Sequence, residues 1–236
     1  MPKSQSGYAG GNRILLRLSP REIGLLAPHL EAVDLPVRKK LEISNKPIEH
    51  VYFIESGLAC VVARAPGGRS VEIGMIGREG ITGLAVIMGT DRSPHETFMQ
   101  LEGAGRRIAA AELRQGIEQG ATLHRTLLRF GHAFLVQTAH TSMANRRSTI
   151  EERLARWLLM AHDRAGSDDL ALTHEFLAQM LGVRRPGVSV ALHQLERDGL
   201  IRTDRGAISI LDREGLVQGS RGAYGAAEAE YRRLFG

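Results

Sequence analysis

The chain contains one cysteine, one tryptophan and few aromatic residues of any kind, 5% of 236. A single thiol, Cys60, excludes an internal disulfide and any four-cysteine iron-sulfur or zinc centre. Lying in the run LACVVA, Cys60 reads as a small buried hydrophobe, and such sparing use of cysteine fits a reducing cytoplasm. Long apolar runs are missing too; none approaches the roughly 20 residues needed to cross a bilayer. The opening MPKSQSGYAGGNR is small and polar, without the charged-then-apolar order of a secretory signal. The expectation is a soluble cytoplasmic protein with no membrane partner. Charge of one sign does not dominate either. The net charge of +5 and pI near 9.8 agree with a polyanionic partner without locating it, because residues 1–145 carry a surplus of 4 and residues 146–236 a surplus of only 1.

What is present is a segment with two helical periods, LTHEFLAQMLGVRRPGVSVALHQLERDGLI, from Leu172 to Ile201. Thr173 is the N-cap of a first helix whose inner face is Phe176, Leu177, Met180 and Leu181. Gly182 ends it, since glycine accepts the left-handed conformation, and Val183 leads into a second helix with Val188, Ala191, Leu192 and Leu195 inside. The outer face carries Arg184, Arg185, Ser189, His193 and Gln194, side chains that bond phosphates and base edges in a major groove. Two readings stand for the pair: a DNA-reading helix-turn-helix, or an ordinary helical hairpin of an all-helical core. The residues after it favour the first. Ile201, the TDRG run and Ile208 to Leu211 describe a short hairpin, which suits a wing.

Upstream the periodicity changes twice. At 236 residues the chain suits two modest domains, each able to bury a core without covalent staples. A short helix at about Pro20 to Pro28 precedes strand-like runs punctuated by glycine, with Val51, Phe53, Leu58, Cys60 and Val62 as core candidates and Ala65 to Arg69 as a turn. Strands resume from Thr97 to Ile108, so this block predicts a small sandwich or jelly-roll. From about Ala121 to Asn145 a long helix carries two stripes. Leu123, Leu127, Phe130, Phe134, Gln137, Thr141 and Ala144 form one, and Leu128, Gly131, Leu135, Thr138 and Ser142 the other. Two stripes fit a helix that covers its own domain on one side and pairs with a second copy on the other, and equally one packed wholly within its own domain. A further helix follows, with Ser148 and Glu151 at capping-box spacing and Ile150, Leu154, Trp157, Leu158 and Ala161 inside. Tyr224 to Leu234 has helical composition, against which Gly219, Gly222 and Gly225 weigh. The fold class is α+β, with boundaries at 14–120 for the β-roll, 121–147 for the long helix, 148–218 for the winged domain and 219–236 for a tail.

The order of HVYFIESG, GGRSVEIGMIGREGITG, DRSPHETFMQLEG, the long helix, ERLARWLL and the winged helix-turn-helix resembles the CRP/FNR family of bacterial transcription regulators, over about Ile14 to Leu211. The resemblance implies a homodimer whose cyclic-nucleotide-binding-like domain senses a signal. It also implies a winged helix that binds a palindromic promoter site on double-stranded DNA, with RNA polymerase as a further partner. Thr173, Arg184, Arg185, Ser189, His193 and Gln194 become the DNA-binding set. Arg185 matches a family DNA contact, while Pro186 and Val190 stand where glutamate and arginine are common, so a different base sequence is expected. Gly80 matches the glycine of the family's phosphate cradle, but Ile81 replaces its glutamate and cannot accept from a ribose hydroxyl. Arg92 and Ser93 resemble the phosphate-binding pair, or form an exposed turn before a strand. Thr138 falls where the long helix offers a hydroxyl to the base.

Cyclic AMP is therefore a weaker candidate effector than some other ligand of an altered pocket, or none. An iron-sulfur cluster is excluded by the lone cysteine, and haem would need one axial ligand among nine scattered histidines, residues more often found in surfaces and cores. The leading reading needs no enzyme chemistry. Against it stand a cupin-like enzyme or metal-binding barrel with an accessory winged domain, for which the β-block offers no evident ligand cluster, and protein binding by the winged helix.

Overall fold

The computed structural model describes residues 10–64 and 70–236; the turn expected at Ala65 to Arg69 lies outside them. The first helix, α1 (Pro20–Leu26), starts where Ser19 and Glu22 close a reciprocal capping box and Pro20 occupies the first turn, where its missing N–H removes no helical bond. Then follow β1 (Glu31–Leu35), β2 (Lys40–Glu42), β3 (His50–Ile54), β4 (Leu58–Arg64), β5 (Ser70–Ile76), α2 (Leu84–Ile87), β6 (Glu96–Leu101), β7 (Gly103–Ala109), α3 (Ala110–Gln119) and α4 (Ala121–Arg147). The strands form two sheets, ordered β1-β7-β3 and β2-β6-β4-β5. β3 runs antiparallel to β7 from His50 opposite Ala109 to Ile54 opposite Gly105. Val51, Phe53, Leu58, Cys60 and Val62, the expected core, are all buried. Gly57 turns the chain from β3 into β4 at φ +81°, and a side chain there would meet the carbonyl of Glu102 at 2.6 Å.

Contacts group the described chain into two compact units: residues up to Val61 with Ile76–His132, and Val62–Met75 with Ala133–Gly236. The long helix runs to Arg147. Its first stripe is inside, with Leu123, Leu127, Phe130, Phe134, Gln137 and Ala144 buried. The second is largely open: Leu128 is 41% and Leu135 64% exposed, and neighbouring Met143 is 44% exposed. In the first unit Val86, Met88, Ile117 and Leu128 help to line an open cleft of about 420 Å³.

The second unit holds α5 (Ile150–Ala165), β8 (Asp169–Leu170), α6 (His174–Leu181), α7 (Arg185–Arg197), β9 (Ile201–Asp204), β10 (Ala207–Ile210), α8 (Arg213–Gly219) and α9 (Ala226–Phe235). One expectation is displaced by a residue. The capping box of α5 is Thr149 with Glu152, because the Ser148 N–H still bonds the Ala144 carbonyl in the last turn of α4 and Ser148 is not the entry residue. Ile150 and Phe176, expected inside, are half-buried at the edges of their helices. The tail glycines do not prevent a final helix. Gly222 and Gly225 adopt positive φ and turn the chain between α8 and α9, so they sit outside both elements. Ala227 and Phe235 are buried, and the Tyr224 hydroxyl donates to Asp163 of α5 at 2.6 Å.

Candidate nucleic-acid interface

The helix pair is built as its residues require. Thr173 Oγ1 accepts from the Phe176 N–H at 3.2 Å, and Gly182 closes α6 at φ +64°. A side chain on Gly182 would also press on Val71 at 3.2 Å, so the turn needs glycine twice over. Arg184 is extended and Pro186 lies in the first turn of α7. Beneath, Val188, Ala191, Leu192 and Leu195 are buried; outside, Arg184, Arg185, Val190 and His193 are exposed. With three to four residues per turn, Arg185, Ser189 and His193 share one face of α7.

The scaffold behind α6 is held by polar as well as apolar contacts. Arg153 of α5 donates to the Leu181 carbonyl, and the Trp157 ring meets Phe176 edge-on with centroids 5.9 Å apart. The Trp157 indole N–H donates to Glu72 of β5 at 3.1 Å. Burial pushes the Arg156 guanidinium below its ordinary pKa, and the carboxylates of Glu228 and Glu72 oppose that. The Arg156 Nε–H donates to the Ala223 carbonyl at 3.0 Å.

Several contributors were not evident from the sequence pattern. His174, the first residue of α6, lies with Nδ1 3.1 Å from Ser189 Oγ. Its pKa is pushed down by burial first and then by the charges of Arg185 and His193, with Glu196 opposing. Glu196 accepts from the Thr203 N–H and hydroxyl, each at 2.8 Å, joining the end of α7 to the wing strand β9. Those two bonds hold its carboxyl below the usual carboxylate range. The wing exposes Arg202 and, at the turn before Gly206, Arg205; the TDRG composition was the only signal for them. Of the remaining candidates, Thr173 is exposed at its cap. The Gln194 amide donates to Asp198 at 2.9 Å while its oxygen accepts from Arg197, so Gln194 is engaged within its own helix.

The ligand candidates occupy different settings. Gly80 packs under Phe130, where an added Cβ would approach the ring to 2.4 Å, and its carbonyl accepts from Asn12 at 2.8 Å. Ile81 is fully buried and bridges Phe53. Arg92 is exposed with its guanidinium on Asp91 at 2.9 and 3.0 Å, and Ser93 Oγ accepts from the His95 N–H. Thr138, on α4, donates to the Phe134 carbonyl one turn back. Among the described residues no group of three or more His, Cys, Asp or Glu side chains is placed to hold a metal, and no helix is long and apolar enough to cross a membrane.

Two sheets of short antiparallel strands, a long helix and a helix-turn-helix with a β-hairpin wing define a winged-helix DNA-binding protein with an N-terminal β-roll. Residues 152–218 match the Crp-like helix-turn-helix domain. The CRP-like cAMP-activated global transcriptional regulator of Mycobacterium tuberculosis is 26% identical over 202 residues, 82% of this chain and 89% of that protein. The fold is shared with FixK2 from Bradyrhizobium japonicum, at TM-score 0.69 and 19% identity over 80% of this chain and 96% of that one. It is shared also with the c-di-GMP-responsive global regulator CLP of Xanthomonas campestris, at TM-score 0.67 and 16% identity over 81% and 99%. The chain is similar to CRP/FNR transcription regulators, through the Crp-like helix-turn-helix domain at residues 152–218 and through the fold.

Proposed function

We propose that the chain acts as a homodimer that binds a palindromic promoter site through α7 and answers a signal received by its β-roll. The observation that carries this reading is the division of α7 into a fully buried apolar face and an exposed face presenting Arg185, Ser189 and His193. Arg185 supplies a planar donor fork suited to guanine, Ser189 a hydroxyl for a neighbouring base, and Arg184, Thr173, His193 and Gln194 contacts to the backbone. Arg202 and Arg205 extend the positive surface along the wing. The open stripe of α4, centred on Leu128 and Leu135, is the pairing surface. Residues 14–120 form the sensor, 121–147 the pairing helix and 148–218 the DNA-binding part, with the tail 219–236 bracing α5. Its output is binding without catalysis, in the cytoplasm, with RNA polymerase as the partner that promoter binding implies.

The effector is a separate matter. The Mycobacterium relative is described as activated by cAMP and the Xanthomonas regulator as responsive to c-di-GMP, so one scaffold serves different ligands in different chains. Ile81 in place of a carboxylate favours an effector other than cyclic AMP, acting by shifting the population between states of the dimer.

Selection from random duplexes tests the DNA reading. A palindrome with half-sites about one helical turn apart is expected. Recovery of no symmetric motif by a folded dimer would overturn it. Arg185→Ala is expected to weaken the selected site by about 1–3 kcal/mol and to relax preference at one base pair per half-site.

A further inference from the structure

Ser189 differs from the other side chains on the exposed face of α7 because its hydroxyl is already engaged. It lies 3.1 Å from Nδ1 of His174, which the start of α6 brings over the middle of the recognition helix. Both residues are half-buried, so the contact has one side in the protein and one toward the surface that Arg185 and His193 share. A serine hydroxyl owns one proton and two lone pairs. Whichever ring nitrogen state faces it decides what remains for a second partner. An unprotonated Nδ1 takes the hydroxyl proton, leaving Oγ able only to accept; a protonated Nδ1 donates to Oγ and frees the hydroxyl proton.

We infer that His174 is a positioning residue for base reading: through Ser189 it fixes whether the recognition helix presents an acceptor or a donor at that point of the groove. This rests on the reading of α7 as the recognition helix. With the ring neutral and its proton on Nε2, Ser189 accepts and selects an amino edge, adenine N6 or cytosine N4. With the ring protonated, Ser189 donates and selects guanine O6 or thymine O4. The groups facing the ring from α7 are Arg185 and His193, which oppose protonation, and Glu196, which favours it; Glu175 adjoins it on α6. Burial acts with the two cations, so the neutral ring is the resting state at neutral pH. His174 touches no base in this scheme. Its effect passes through one hydrogen bond between two helices, which also pins the tilt of α7 on α6.

The test uses the full-length protein and a panel of duplexes in which each position of the selected half-site carries each of the four base pairs. At about pH 8, with the ring neutral and its proton on Nε2, wild type is expected to favour adenine or cytosine at one position by roughly fivefold to tenfold, the range of a single net hydrogen bond. Ser189→Ala should erase that preference alone. His174→Leu should flatten it, since the hydroxyl then turns freely. His174→Asn, which keeps an acceptor near the place of Nδ1, should retain it. Lowering the pH until the His174 imidazole resonances show its protonation should move the wild-type preference toward guanine or thymine, with no such movement in His174→Leu.

If Ser189→Ala leaves every base preference intact while Arg185→Ala alters one, the inference falls and the recognition-helix reading survives. If neither alters any, that reading falls with it. Uniform weakening on all duplexes by a His174→Leu protein that melts at the wild-type temperature would make His174 a backbone contact and overturn the inference.

Discussion

The indole N–H of Trp157 donates to Oε2 of Glu72 at 3.1 Å across 85 residues of chain, and both side chains are buried. A strand of the β-roll sequence and the central helix under the helix-turn-helix are thereby tied by a charge-assisted bond. Trp157 is the only tryptophan, so its emission reports this contact directly. Glu72→Ala leaves the indole N–H buried without that acceptor and is expected to cost about 1–3 kcal/mol in denaturant unfolding, with a shifted emission maximum. Glu72→Gln keeps an acceptor but removes a negative charge from near Arg156, and should fall between the two. Wild-type midpoints and unchanged emission in both variants would show that the bond contributes nothing.

Leu135 is the most open large apolar residue of α4, flanked along the helix by Leu128 and Met143. A twofold interface counts each position twice. Leu135→Glu is expected to weaken dimerisation by about 3–6 kcal/mol, from the burial value of a leucine side chain in each copy. Sedimentation across a concentration series reads the shift. A variant that stays as dimeric as wild type would remove this stripe of α4 from the interface.

Ile81 stands fully buried against Phe53, and Arg92 holds Asp91 on the surface. A cyclic nucleotide phosphate and ribose need a free guanidinium and a sugar acceptor. Calorimetric titration with cyclic AMP is expected to give no binding heat at micromolar ligand. Saturable micromolar binding would contradict the argument from Ile81.

Tyr224 couples the tail to the winged unit at pH values below its titration. Burial first, then the bond to Asp163, pushes its pKa up from the ordinary 10.0 to about 12. The folded-state value lies above the unfolded one, so the stabilisation is complete below about pH 10 and disappears as pH rises through about 12. Tyrosinate absorbance should show late titration from Tyr224 and from Tyr52, which burial also pushes up, and Tyr224→Phe should remove the Tyr224 share. The stability gap between wild type and Tyr224→Phe, about 1–2 kcal/mol at neutral pH for a hydrogen bond to a charged group, should close across that alkaline window. A constant gap would dissociate it from the hydroxyl.

Local patterns were legible where one element determines them. Thr173, Gly182, Pro186 and the buried row Val188, Ala191, Leu192 and Leu195 follow from helix period and cap chemistry, and the structure places them so. The sequence STIEE contains two overlapping boxes, Ser148 with Glu151 and Thr149 with Glu152; only the length of the preceding helix chooses between them. Composition also misjudged the tail, because glycine counts against a helix only when it falls inside one. Pairs distant in sequence left no trace in the pattern: Glu72 with Trp157, His174 with Ser189 and Glu196 with Thr203 are made by packing. Those pairs supply the least predictable part of the interface, the part that decides which way a hydroxyl points or how a wing is held.

Helix α7 is seated closely at its start. A methyl added to Gly187 would come within 3.0 Å of Ile150, and the face beneath Val188 to Leu195 is filled. Sliding or rolling the helix would break that fit, whereas the outward Arg185 and Val190 touch little that a replacement would disturb. Divergence toward new operators therefore meets least resistance as a change of lettering on a fixed type block: the helix keeps its seat while its exposed side chains are exchanged.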